Sequence, residues 1–153
     1  KRYVYFLHQG RADPFADPFC WSLGRTLDLA AMRATAAQLV GRHDFRAFSA
    51  FGGEEREDTV KTLRRLDILG RGPRLRIVAE ADGFLYKMIR NLVGTMVNLA
   101  RGPLPPEHMD ACLHLPGPYH GHTAPPGGLF LMEVVYERPA AAPQKGNAPR
   151  QTP

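Results

Sequence analysis

No apolar run in this chain approaches the roughly 18 residues that a membrane-crossing helix needs, so no segment reads as such a span. Cysteine is scarce. Cys20 and Cys112 lie far apart and in no Cys-x-x-Cys spacing. That excludes a disulfide framework and a dithiol redox motif, and both read as buried thiols in a reducing compartment. There is no glycine-rich phosphate loop and no dinucleotide fingerprint. A Ser/His/Asp or Cys/His nucleophilic site has no local signature either. Cys112-Leu113-His114 and His120-Gly121-His122 are the closest metal-like groupings. Neither has a tetrahedral partner set at familiar spacing, so no metal site is expected. The chain opens at Lys1-Arg2-Tyr3, without Met and already strand-like. It resembles neither a signal nor a transit peptide there, and it reads as the second half of something longer.

What is present suits one domain. The 153 residues can bury a sizeable core, and 44% apolar with 23% charged residues is ordinary for a globular chain. The formal charge is +5 and the pI about 9.6, which biases the chain toward polyanions such as nucleic acid. Arg56, Lys61, Arg64, Arg65, Arg71, Arg74 and Arg76 fall within one 21-residue window. On charge alone this window is either a phosphate-facing patch or the solvated side of a hairpin.

Tyr3-Val4-Tyr5-Phe6-Leu7 is β-branched and aromatic and predicts a strand. Residues 10–24 read as a loop, anchored by Phe19 and Trp21. Thr26 or Asp28 caps a helix whose Leu29, Met32, Ala36, Leu39 and Val40 recur at helical spacing up to Gly41. His43 to Phe48 reads as an irregular connector. Val60–Leu69 and Leu75–Ala81 predict a hairpin with one basic face. Asp82 or Gly83 starts a second long helix ending near Arg101, before Gly102-Pro103. A shorter helix from Pro105 to Leu113, a Pro/Gly/His loop and a last strand over 129–136 follow. Residues 138–153 read as a tail without fixed structure. The order β-α-β-β-α-α-β predicts an α+β fold, an antiparallel or mixed sheet with helices packed on one face.

Arg90-Asn91 stands inside the apolar stretch Gly83–Gly94. A guanidinium there costs desolvation unless it meets an acid or a phosphate. Periodicity puts Leu85, Met88, Ile89, Leu92, Val93, Met96 and Leu99 on the buried stripe and Arg90 on the opposite flank with Lys87, Gly94, Val97 and Arg101. That favours a solvated Arg90. Against it, Gly94 in a helix interior leaves room for something to approach beside the guanidinium, at about 1 kcal/mol of helix propensity. Tyr3 and Tyr5 share one face of their strand, either as core residues with hydroxyls at the edge or as part of a site. Phe45 and Phe48, beside Arg42, His43 and Arg46, either stack on RNA or pin the connector to the core, and pinning is preferred for Phe45.

Five segments match a family in order: Arg2-Tyr3-Val4-Tyr5, Leu39 to Phe48, Thr59 to Leu63, Gly83 to Gly94, and Thr123-Ala124-Pro125-Pro126-Gly127-Gly128-Leu129-Phe130-Leu131. Together they resemble the C-terminal half of the TruA family of tRNA pseudouridine synthases, over residues 1–137. The resemblance implies isomerisation of uridine to pseudouridine in the anticodon arm of tRNA, without a cofactor. It implies an active-site tyrosine at Tyr3, an arginine at Arg90 that pairs with a catalytic aspartate, and an apolar pocket residue at Leu129. Arg42, His43, Arg46, Phe48, Lys61, Arg64, Arg65, Lys87 and Asn91 are then candidates for RNA contact. The partners implied are tRNA, the N-terminal half of the same protein and, in many members, a second copy as a homodimer. The family's catalytic aspartate belongs to an Arg-Thr-Asp motif that this chain does not contain, so the chain alone should lack the nucleophile. A non-catalytic RNA-binding α+β module is the competing reading.

Overall fold

The computed structural model describes residues 1–50, 58–70, 72–102, 108–114 and 121–136. Arg56, Arg71, the start of the short helix at 105–107, His120 and the tail at 138–153 lie outside the described residues. In chain order the elements are β1 (Arg2–His8), β2 (Trp21–Ser22), α1 (Leu29–Leu39), β3 (Gly41–Asp44), β4 (Val60–Leu69), β5 (Arg74–Ala81), α2 (Met88–Arg101), α3 (His108–Leu113) and β6 (Leu129–Glu133). The strands form one mixed sheet in the order β2-β1-β5-β4-β3, with β6 also paired to β1. Among the described residues only β1 and β2 run parallel; the other pairs are antiparallel. This is the expected α+β layout.

Period-two alternation decides which face is covered. Tyr5 and Leu7 of β1 stand opposite Ile77 and Leu75 of β5, and Ile77 and Ala79 stand opposite Ile68 and Leu66 of β4. All join one core with Met32, Ala36 and Leu39 of α1, the apolar stripe of α2, and Met109, Cys112 and Leu113 of α3. The alternate residues Val4 and Val78 face each other and are buried, but outside that core, on the other face of the sheet. Cys112 is buried and Cys20 half-buried.

Local chemistry explains the element ends. Of the two caps expected for α1, Asp28 is the one used: its carboxylate accepts from the amides of Ala30 and Ala31, both at 3.0 Å. The second long helix starts at Met88 rather than at Asp82 or Gly83. Asp82 instead spends its carboxylate on the amides of Gly83 and Thr62, which holds a turn against β4. Lys87, at φ 58°, makes the final left-handed step into the helix. His43 and Asp44, expected as the start of an irregular connector, join Gly41 and Arg42 in β3 because the free edge of β4 accepts them in register from Gly41 opposite Leu63 to Asp44 opposite Val60. The last strand stops at Glu133, three residues short of the expected Tyr136.

Candidate active site

All seven residues predicted for the buried stripe of α2 are buried. The opposite flank is not open to solvent, however. Asn91, Gly94, Thr95, Val97 and Ala100 are buried too, and only Asn98 is exposed. The cover is the chain's own segment 122–125. A methyl group built on Gly94 would stand 1.7 Å from the carbonyl oxygen of His122 and 3.1 Å from the amide of Ala124. The room that glycine leaves is therefore filled by backbone, which no side chain at position 94 would allow.

Arg90 is tied to this segment in both directions. Its Nε donates to the Ala124 carbonyl at 2.7 Å, and the Ala124 amide donates to the Arg90 carbonyl at 3.0 Å. Next to it, Thr123 Oγ1 donates to Asn91 Oδ1 at 2.7 Å, while Asn91 Nδ2 donates to the Phe48 carbonyl at 2.8 Å. The solvated reading of Arg90 is thus corrected: one nitrogen of the guanidinium is fixed by a carbonyl. No other hydrogen bond or ion pair involves Arg90 among the described residues, so its two terminal amino groups are unpartnered there.

Tyr5, weighed from sequence as core residue or site residue, completes the arrangement from within the core. Its ring is fully buried, and its hydroxyl donates to the Pro125 carbonyl at 2.7 Å. Burial pushes the phenol well above its ordinary pKa, and the nearby positive charge of Arg90 opposes that without overcoming it. Tyr5 is thus a neutral donor that holds the segment beside Arg90. Gly128 lets the following turn close onto this ring, since a methyl there would lie 2.9 Å from the ring carbons.

The three residues expected at the site cluster around Tyr5. Leu129 stands directly opposite it on β6. Tyr3 lies two residues away on the same face of β1, half-buried and edge-on to Phe84, with ring centres 5.2 Å apart. Arg90 reaches it through the Ala124–Pro125 backbone. A tyrosine ring, an apolar side chain and a half-anchored guanidinium are thus each linked to Tyr5 by strand register or by the Ala124–Pro125 backbone. Such a grouping suits a planar, largely apolar group held beside an anion.

The residues expected to touch RNA divide. Phe48 is fully buried, so its ring packs in the core and cannot stack on a base; the pinning role weighed for both phenylalanines holds for Phe45 as well. Asn91 is also buried, and its amide is committed on both sides as above. Arg65 donates to Asp67 at 2.5 Å and to Glu80 at 3.2 Å, while Arg2 pairs with Glu80 and Glu133. That network carries two cations and three carboxylates, so this part of the hairpin is not a basic face. By alternation with Tyr3, Arg2 and its network lie on the opposite face of the sheet. Lys61 pairs with Asp58, and Arg46 approaches Asp44 at 4.0 Å. His43 packs edge-on to Phe45, with ring centres 5.8 Å apart. Lys87 lies 5.2 Å from the ring centre of Tyr86. Arg42 and Arg64 are exposed and enter no ion pair among the described residues, and Arg64 sits at the register shift between Leu63 and Arg65.

Comparison with known proteins bears on this geometry. A family model described as tRNA pseudouridine synthase matches residues 35–137. The chain belongs to the tRNA pseudouridine synthase family. It is 38% identical over 141 residues to tRNA pseudouridine synthase A 1 of Protochlamydia amoebophila, an alignment covering 90% of this chain and 55% of that protein. It is 41% identical over 122 residues to tRNA pseudouridine synthase A of Chlamydia muridarum, covering 79% and 45%. With the enzyme of the same name from Syntrophotalea carbinolica it shares 42% identity over 139 residues, covering 89% and 54%. The chain thus spans about half the length of the curated relatives it matches. Arg90, the Thr123–Pro125 anchors and Leu129 all fall inside the residues matched by the synthase family, and Tyr3 precedes them.

Proposed function

We propose that this chain supplies one wall of the active site of a tRNA pseudouridine synthase that isomerises uridine in the anticodon arm. The observation that carries the reading is Arg90, with Nε fixed by Ala124 and both terminal amino groups unpartnered among the described residues. A guanidinium held at one nitrogen presents the remaining edge of its fork in a set direction, which suits a carboxylate. No Arg-Thr-Asp occurs in the chain, so that carboxylate comes from another segment. Arg90 keeps it ionised and oriented. Tyr3 lies against the target base, and Leu129 closes the pocket beside it. The isomerisation exchanges a carbon–nitrogen glycosidic bond for a carbon–carbon one and conserves composition, so it needs no cofactor.

The coding sequence upstream of Lys1 is the first test. An in-frame Arg-Thr-Asp segment is expected there; its absence favours the RNA-binding module. The second test is tritium release from labelled uridine in an unmodified tRNA transcript. The 153-residue chain alone should release none, and turnover by it would refute this division of labour. In the protein that includes the aspartate, Arg90→Ala should slow single turnover at least ~100-fold, about 2.7 kcal/mol of barrier, and leave tRNA affinity within a few-fold.

A further inference from the structure

Arg101, in the last turn of α2, is a half-buried guanidinium that meets no acid among the described residues. Its Nη2 donates to the Leu23 carbonyl at 3.0 Å, and its Nε is buried without any hydrogen-bond partner. No ion pair among the described residues includes it. A charge that acts on it is another cation, Arg25, which is exposed. Burial, and then Arg25, hold the Arg101 pKa below its ordinary value. Asp28 is close along the chain, but its carboxylate is spent on the first amides of α1. The carbonyl end of α2 offers only about half a negative charge, against two guanidiniums.

Aromatic planes complete the surroundings. The guanidinium carbon of Arg101 lies 5.5 Å from the ring centre of Trp21. The exposed imidazole of His122 also stacks on that ring, at 5.2 Å and 25°. His122 belongs to the segment that crosses Gly94 and leads into the Arg90 anchor. Arg90 and Arg101 are eleven residues apart on one helix. Eleven residues complete just over three full turns and rise about 16 Å, so both cations lie on the same flank.

We propose that Arg101 and Arg25, backed by Trp21 and His122, bind a backbone phosphate of the RNA whose uridine lies at Arg90. The site rests on the functional reading above and extends it along the substrate. A stacked strand rises about 3 Å per nucleotide, so a helix rise of about 16 Å places this phosphate several nucleotides from the target. An arginine shared between a phosphate and an indole face is a common solution for nucleic-acid strands. Nothing in this cluster reads base identity, so the contact sets register, not sequence.

Trp21 is the chain's one tryptophan, and its emission reports on the site directly. Titration of the chain with inorganic phosphate should give a saturable change in that emission. Arg25→Gln alters an exposed side chain away from the stack and should raise the phosphate dissociation constant at least fivefold. Arg101→Lys keeps the charge but loses the planar fork and should weaken binding similarly. No saturable change, or equal constants for wild type and Arg25→Gln, would overturn the site. With a tRNA transcript, Arg25→Gln should lower the log-log salt slope of binding by about 0.7–0.9. A full slope in Arg25→Gln overturns this site and leaves the tRNA reading standing. Phosphate binding at Trp21 with no tRNA binding by the wild type overturns the reading on which it rests.

Discussion

Replacing Gly94 by alanine pits two effects of opposite sign against each other. In a solvated helix the change would stabilise the protein by about 1 kcal/mol, because alanine has the better helix propensity. Here the new methyl would stand 1.7 Å from the His122 carbonyl oxygen and 2.7 Å from its carbon. Those are backbone atoms, so the whole 122–124 segment must lift from α2. Three hydrogen bonds go with it: both between Arg90 and Ala124, and the one from Thr123 to Asn91. At about 1 kcal/mol each, net of solvation, the loss is about 3 kcal/mol. The balance is a destabilisation of about 2 kcal/mol, or a fall in Tm of about 4–8 °C for a chain of this size. Gly83→Ala is the control, since its methyl would meet only the flexible Lys61 side chain at 3.6 Å. It should change stability by less than about 0.5 kcal/mol. Thermal unfolding by circular dichroism and urea midpoints on both variants decide the matter. A Gly94→Ala protein as stable as wild type, or more stable, would mean that the segment does not lie on α2 and that Arg90 is not anchored as described.

Tyr5→Phe removes the donor to Pro125 and should cost about 1–2 kcal/mol in urea denaturation; an unchanged midpoint would deny the anchor. Arg64 is exposed and unpaired among the described residues, whereas Arg65 is held by Asp67 and Glu80. Arg64→Glu should therefore lower the salt slope of tRNA binding by about 0.7–0.9 with little effect on melting. Arg65→Glu should mainly lower the melting temperature. Burial raises the pKa of Glu80, but Arg2 and then Arg65 outweigh it, so the carboxyl titrates below its ordinary value of 4.5. A depressed folded-state pKa contributes stability that is complete above the unfolded value and lost as pH falls through the folded one. Unfolding midpoints measured between about pH 6 and 3 should fall less steeply in Glu80→Gln than in wild type.

What was legible in the sequence was periodic or covalently local. The 3.6-residue recurrence of Leu85 to Leu99 named the buried stripe of α2, because each member buries against the same sheet face. Asp28 was readable as a cap because the groups it satisfies lie two and three residues on. Runs of β-branched and aromatic residues pointed to β1, and β-branched with basic residues around Gly70 to Pro73 to the β4–β5 hairpin. Contacts made across the chain were not readable. The start of α2 slipped because the Asp82 carboxylate is claimed by Thr62, twenty residues earlier. Phe48 carried the same local signs as a stacking residue, and only its burial distinguishes it. Charge counting overstated the hairpin, since Asp67, Glu80 and Glu133 come to Arg65 and Arg2 through strand register.

Arg90 shows how one misfit residue held information that periodicity had assigned elsewhere. Its flank looked solvated because the cover, His122 to Pro125, comes more than thirty residues later and meets the helix at Gly94 and Arg90 through its backbone. Backbone contact leaves no hydrophobic pattern. It leaves only the requirement that one helix position carry no Cβ, and Gly94 is that mark. The same contact sets the chemistry. By taking Nε, the Ala124 carbonyl prevents the guanidinium from turning, so the remaining N–H groups keep one direction without a partner from the described residues. An arginine that was merely solvated would gain nothing from being held this way. The anchoring is intelligible if a carboxylate from another segment must be met in a fixed orientation. Arg90→Lys then separates charge from geometry: it retains the cation, loses both the Nε anchor and the fork, and should slow turnover nearly as much as Arg90→Ala.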